Sequence, residues 1–176
     1  QTAEARDSLS EALGFAGFFV IPAVTGLVLC GLQIIEGLFV YGAFTSSDAK
    51  MAAMALAAYG GGLPGFVTVK ILQTAFYATS QPGAVLKISF ITVAINMAGS
   101  LLLMPIMGHV GLALATAISG TVAAAIMFYL LVRQHRLSAS FLPVCGKIML
   151  ASAAMGVAVV SLQFGLDRFV FVPAVF

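Results

Sequence analysis

The sequence predicts an all-α integral membrane protein with about five transmembrane helices, and three observations carry that prediction. Hydrophobic residues fill 61% of the 176 positions and charged residues only 8%, whereas soluble domains are about a quarter charged. Mean hydropathy is +1.12, and a soluble chain of this length could not hide that much apolar surface in one core. The apolar residues also fall into five stretches, each near the length of about 20 residues that a helix needs to cross the hydrocarbon core. A net charge of +2 with no basic cluster leaves no case for a nucleic-acid partner.

The first stretch is Ala12–Gly31. Ser8 and Glu11 stand just before it at capping-box spacing, and Pro22 is expected to kink it. Leu32–Phe44 is apolar but holds Glu36 and Gly42, which reads as a short interfacial helix ending in a turn, with Thr45 or Ser46 capping the next span. The second span, Met51–Val69 with a continuation to Ala75, contains Gly60, Gly61, Gly62 and Pro64. Pro64 cannot donate to the Gly60 carbonyl, and the glycines weaken the same turn, so a helix break, as a kink or a locally unwound turn, is expected there. Ile88–Met107 and Val110–Val132 follow, joined by a turn so short that they must be antiparallel neighbours. In the latter, Gly111, Ala115, Ser119 and Ala123 form a small-residue ridge suited to close helix packing. Ile148–Leu166 is the fifth stretch.

Loop charges predict the orientation. Arg6, Lys70, Lys87, Arg133, Arg136 and Lys147 lie on the side of the N-terminus, against Lys50 and Arg168 on the other. Lys and Arg near span ends mark the cytoplasmic side, so the N-terminus is expected there. The opening Gln-Thr-Ala-Glu-Ala-Arg-Asp has no basic, signal-peptide start and reads as an internal piece of a longer protein.

Polar groups inside the spans are the candidate functional residues. Lys70 is the one ionisable residue with a formal charge between Met51 and Ala78, and an intramembrane charge needs a partner, a cavity or a route to water. It lies 19 residues past Met51, or about 29 Å along a helix, so two readings stand: its stem snorkels to the cytoplasmic interface, or it faces a cavity and attracts an anionic headgroup. Ser89, Thr92, Asn96 and Ser100 share one face of the third span. That stripe either lines a cavity or hydrogen-bonds a neighbouring helix.

No cofactor, metal or catalytic residue is expected. Cys30 and Cys145 are far apart, with no CxxC and no Cys/His cluster. His109 and His135 fall in predicted loops, and neither a Gly-x-Ser-x-Gly nor a His-Glu-x-x-His motif is present.

Tyr41-Gly-Ala-Phe-Thr45, Ala57-Ala-Tyr59, Gly62-Leu-Pro-Gly65, Val69-Lys-Ile-Leu72, Ala75-Phe-Tyr-Ala78, Lys87, Asn96 and Gly108-His-Val-Gly-Leu-Ala-Leu-Ala-Thr116 together resemble the MurJ (MviN) lipid II flippases. The ordered match covers roughly residues 12–136. The resemblance implies a fourteen-helix fold of the multidrug/oligosaccharidyl-lipid/polysaccharide exporter superfamily, of which residues 1–136 would supply part of the second lobe. Residues 137–176 would supply a linker and the first appended helix, flanking the groove for the lipid tail. It further implies a bacterial inner-membrane protein that moves lipid II, an undecaprenyl-pyrophosphate-linked saccharide-peptide, from the inner to the outer leaflet by alternating access. The expected partners are lipid II, membrane lipids and the remaining helices of the full-length protein. The loop Ala78-Thr-Ser-Gln-Pro-Gly-Ala-Val-Leu-Lys87 lacks the charges usual in the family. The arginines usually credited with gripping pyrophosphate belong to helices outside this chain, so Lys70, Asn96, Ser89 and Thr92 are the candidates it can offer. Two alternatives remain at this point: an exporter of another polyprenyl-linked saccharide or a drug, and a membrane scaffold that transports nothing.

Overall fold

A computed structural model describes residues 3–39, 44–134, 150–159 and 161. Among these residues the fold is entirely helical. Four helices are long and apolar enough to cross a membrane: α1 (Ala3–Phe39), α2 (Ser46–Ala78), α3 (Pro82–Met107) and α4 (His109–Arg133). A shorter apolar helix, α5 (Leu150–Val159), follows and accounts for the described part of the fifth predicted stretch.

Helix α1 begins before Ser8, so Ser8 and Glu11 lie inside it and do not form a cap. The preceding Ala-Glu-Ala-Arg run consists of strong helix formers, which extend the helix backwards. The hydroxyl of Ser10 donates to the Arg6 carbonyl at 2.9 Å. The separate interfacial helix expected over 32–44 is also not found across its described part. Leu32–Phe39 forms the last turns of α1, because no proline stops it there and the turn after Gly31 still packs Ile35 into the protein. Residues 40–43 lie outside the described set.

Helix α2 starts where Thr45 caps it. The Thr45 hydroxyl accepts from the Asp48 amide, and the Asp48 carboxylate accepts from the Thr45 amide at 2.9 Å. This closes a capping box over two otherwise unpaired donors. The locally unwound turn expected at Gly60, Gly61, Gly62 and Pro64 does not occur, and α2 stays helical to Ala78. Pro64 removes one intrahelical hydrogen bond, but close packing of the same turn holds the helix together. Helix α3 opens on Pro82, where a missing N–H costs nothing, and ends at Gly108 with φ +57° and ψ −131°. That backbone conformation is open essentially to glycine alone, and it reverses the chain into α4. His109 is the exposed first residue of α4, so the loop expected there is shorter than predicted. His135 lies outside the described residues.

The helices form a layer in the order α1, α2, α4, α3. Helices α2 and α4 run parallel: a Cβ on Gly62 would lie 2.7 Å from the Ala117 Cα, and one on Gly65 would lie 3.0 Å from the Thr121 amide nitrogen. The Phe66 ring occupies the space over Gly120. Helices α3 and α4 are antiparallel, with Gly99 against Ala115 and Gly111 against the Leu103 carbonyl. The ridge Gly111, Ala115, Ser119, Ala123 is buried throughout. Side-chain size is sorted in reverse of a soluble protein: Ala113 is fully buried, while Phe90 is 70% and Ile106 80% exposed. Lipid is as apolar as leucine, so helices associate through close contact of small residues rather than by burying large ones. Among the described residues, Leu72, Phe76, Met127 and Leu131 are the largest fully buried side chains, and they cluster at the end where α1 starts and α4 ends.

Candidate functional site

Asn96 is bound across the α3–α4 seam. Its side-chain nitrogen donates to the Thr116 hydroxyl at 3.0 Å and to the Ser119 hydroxyl at 3.3 Å. Those hydroxyls in turn donate to the Leu112 and Thr116 carbonyls, both at 2.9 Å. With both hydroxyl protons committed, only the amide nitrogen of Asn96 can complete the contact, which fixes the orientation of its amide group. Thr92 donates to the Ile88 carbonyl on its own helix at 2.8 Å, and Ser89 is half-buried. Of the two readings of this stripe, helix–helix hydrogen bonding accounts for Asn96. Gly99 and Leu103 continue the same face against α4.

Lys70 is placed differently. It is exposed on α2, away from the sides that meet α1 and α4. At 100° per residue, Tyr59, Leu63, Lys70, Thr74 and Tyr77 fall within an arc of about 60°, and all five are exposed. The Thr74 hydroxyl donates to the Ile71 carbonyl at 2.7 Å. Gly62 and Gly65, which touch α4, lie on one flank of this arc, while Gly60, which touches Leu27 and Val28 of α1, lies on the other. The structure therefore separates Lys70 from Ser89, Thr92 and Asn96, which face α4 from the far end of the layer. The grouping of Tyr59, Thr74 and Tyr77 with Lys70 was missed in the sequence, although their spacings of three, four, seven and eleven residues were legible there. Gly60, Gly61, Gly62 and Pro64 do not act together either. Gly62 is a contact point with α4, Gly60 is one with α1, and a Cβ on Gly61 would meet nothing within 4 Å.

Among the described residues no group of His, Cys, Asp or Glu could hold a metal ion. The arrangement offers a cation in line with two tyrosines, a threonine and Leu63 along one exposed face of a membrane helix. Such a face can meet water, an anionic headgroup or another protein segment.

These features define a polytopic helical membrane protein packed through its glycines. Comparison with known proteins narrows this. The family model described as "Lipid II flippase MurJ" matches residues 1–172, and the chain belongs to that family. It is 34% identical over 162 residues to a probable lipid II flippase MurJ of Rhizobium tropici, covering 91% of this chain and 30% of the relative. It is 33% identical over 158 residues to a probable lipid II flippase MurJ of Thermotoga maritima, covering 90% and 31%. A solved structure, lipid II flippase MurJ in an inward closed conformation, superposes with a TM-score of 0.71 at 28% identity, covering 89% of this chain and 33% of that one. The chain thus spans about a third of the length of these relatives.

Proposed function

We propose that this chain is the later part of the second lobe of a lipid II flippase in a bacterial inner membrane, together with the start of the appended helices. In the full-length protein it works with the remaining helices to move the lipid-linked precursor from the inner to the outer leaflet by alternating access. Membership of the family supports this reading, and the loop charges support a cytoplasmic N-terminus. The observation that carries a direct role for these helices is the exposed face Tyr59, Leu63, Lys70, Thr74, Tyr77 on α2. A lysine with hydroxyl-bearing neighbours is costly against lipid and favourable against a wet cavity holding a pyrophosphate. Lys70 is its anion contact, and the tyrosines offer flat surfaces to the saccharide-peptide head.

The test uses the full-length protein in cells depleted of their own lipid II flippase. The wild type is expected to restore growth, and Lys70→Met to reduce flipping at normal membrane abundance. Single cysteines at 59, 70 and 74 are expected to react with a membrane-impermeant thiol reagent and to be protected by lipid II. Cysteines at 92 and 96 are expected to stay unreactive. Unchanged flipping in Lys70→Met, with no labelling at 59 and 74, would leave Lys70 as a snorkelling side chain and refute the cavity face.

A further inference from the structure

The two halves of α1 are held differently. Beyond Pro22, α1 is clamped: Cβ positions on Gly60 and Gly31 would lie 3.2 Å from Leu27 and 3.4 Å from Leu56. From the other side, a Cβ on Gly156 of α5 would lie 3.2 Å from Thr25 and 3.5 Å from Leu29. Just before Pro22, residues 16–21 of α1 stand off their neighbours. A void of about 280 Å³, partly open to the outside, lies between Ala16, Gly17 and Val20 on one side and Pro64, Val67 and Phe128 on the other. Below the void, Leu13 is again packed into the cluster of Leu72 and Phe76.

The boundary between these halves is built to bend. Pro22 deprives the Phe18 carbonyl of its helical donor, and prolines are the usual site of sharp kinks. One turn further on, the Thr25 hydroxyl donates to the Ile21 carbonyl at 2.9 Å, a back-bond that also favours bending. The void is lined almost wholly by carbon, with Thr68 its one polar side chain. Water needs two to four polar partners and would not settle there.

We infer that residues 16–21 of α1 form a moving strap, hinged over Pro22–Thr25, that bows into this void during the transport cycle while Leu13 stays in its cluster and the second half stays fixed against α2 and α5. The inference rests on the alternating-access reading above. Its test is chosen so that the two can fail separately.

The experiment uses full-length protein carrying Cys30→Ala and Cys145→Ala. One variant adds Ala16→Cys with Val67→Cys across the void, and a control adds Gly31→Cys with Leu56→Cys in the clamped half. On mild oxidation, the void pair is expected to form a disulfide and lose at least tenfold of its flipping, recovered on reduction. The control pair is expected to cross-link with flipping retained. A void pair that never forms a disulfide would show that lipid or another helix fills the space, and would overturn the hinge. So would a locked void pair that flips normally, or a locked control that stops flipping. If the reduced proteins do not flip lipid II at all, the proposed function falls, while disulfide formation still reports whether α1 moves.

Discussion

Gly61 and Gly62 are adjacent glycines whose substitution should have opposite effects. Replacing a mid-helix glycine with alanine gains about 1 kcal/mol of helix propensity at either position. At Gly61 the new methyl meets nothing within 4 Å, so that gain should stand. At Gly62 the methyl would lie 2.7 Å from the Ala117 Cα and 2.8 Å from its Cβ. Neither atom can rotate away, so α2 and α4 must separate. Overpacking of this kind costs about 1–3 kcal/mol, and separation also loosens the neighbouring contacts of Gly65 with Thr121 and Phe66 with Gly120. Because the propensity gain is common to both, Gly62→Ala should be less stable than Gly61→Ala by about 1–3 kcal/mol. Thermal unfolding of the full-length protein in detergent, read by loss of monodisperse protein, measures the difference. Equal melting temperatures for the two variants would refute the parallel α2–α4 contact as the reason Gly62 is glycine.

Two further outcomes follow from the same packing. Asn96→Leu removes two donated hydrogen bonds to Thr116 and Ser119; at roughly 0.6 kcal/mol for each such bond in a membrane, the α3–α4 pair should lose about 1 kcal/mol. Thr116→Val with Asn96→Leu should then cost less than the sum of the two single changes, as a double-mutant cycle of melting temperatures would show. Gly108→Ala forces a side chain onto a backbone with φ +57° and ψ −131° and should cost about 1–3 kcal/mol, although a Cβ there meets nothing within 4 Å. Melting unchanged by that substitution would mean that the hairpin relaxes to another turn.

The existence and order of the long helices could be read from the chain, because spanning hydrocarbon demands runs of apolar residues. Helix ends were less legible. Ser8 and Glu11 have capping spacing, yet good helix formers lie before them and extend α1 past that signal. The glycines and proline of α2 read as a break when each residue is judged by its own helix propensity. Helical contacts with α1 on one side and α4 on the other outweigh that preference. Asn96 and Lys70 were both visible as polar residues within apolar spans. Which of them serves packing depended on α4 bringing Thr116 and Ser119 to Asn96 and nothing comparable to the Lys70 face.

By itself the sequence determined the membrane class, the succession of helices, the tight α3–α4 hairpin and the family, all properties of local composition and short motifs. Tertiary structure alone decided which faces of those helices touch. In a soluble protein, polar and apolar stripes would have announced the faces, because water sorts them. Here lipid and protein interior are equally apolar, and the sorting is by side-chain size and fit. Fit depends on both helices of a pair, so the opposed roles of Gly61 and Gly62, of Lys70 and Asn96, and of the two halves of α1 appear only when the helices are packed together.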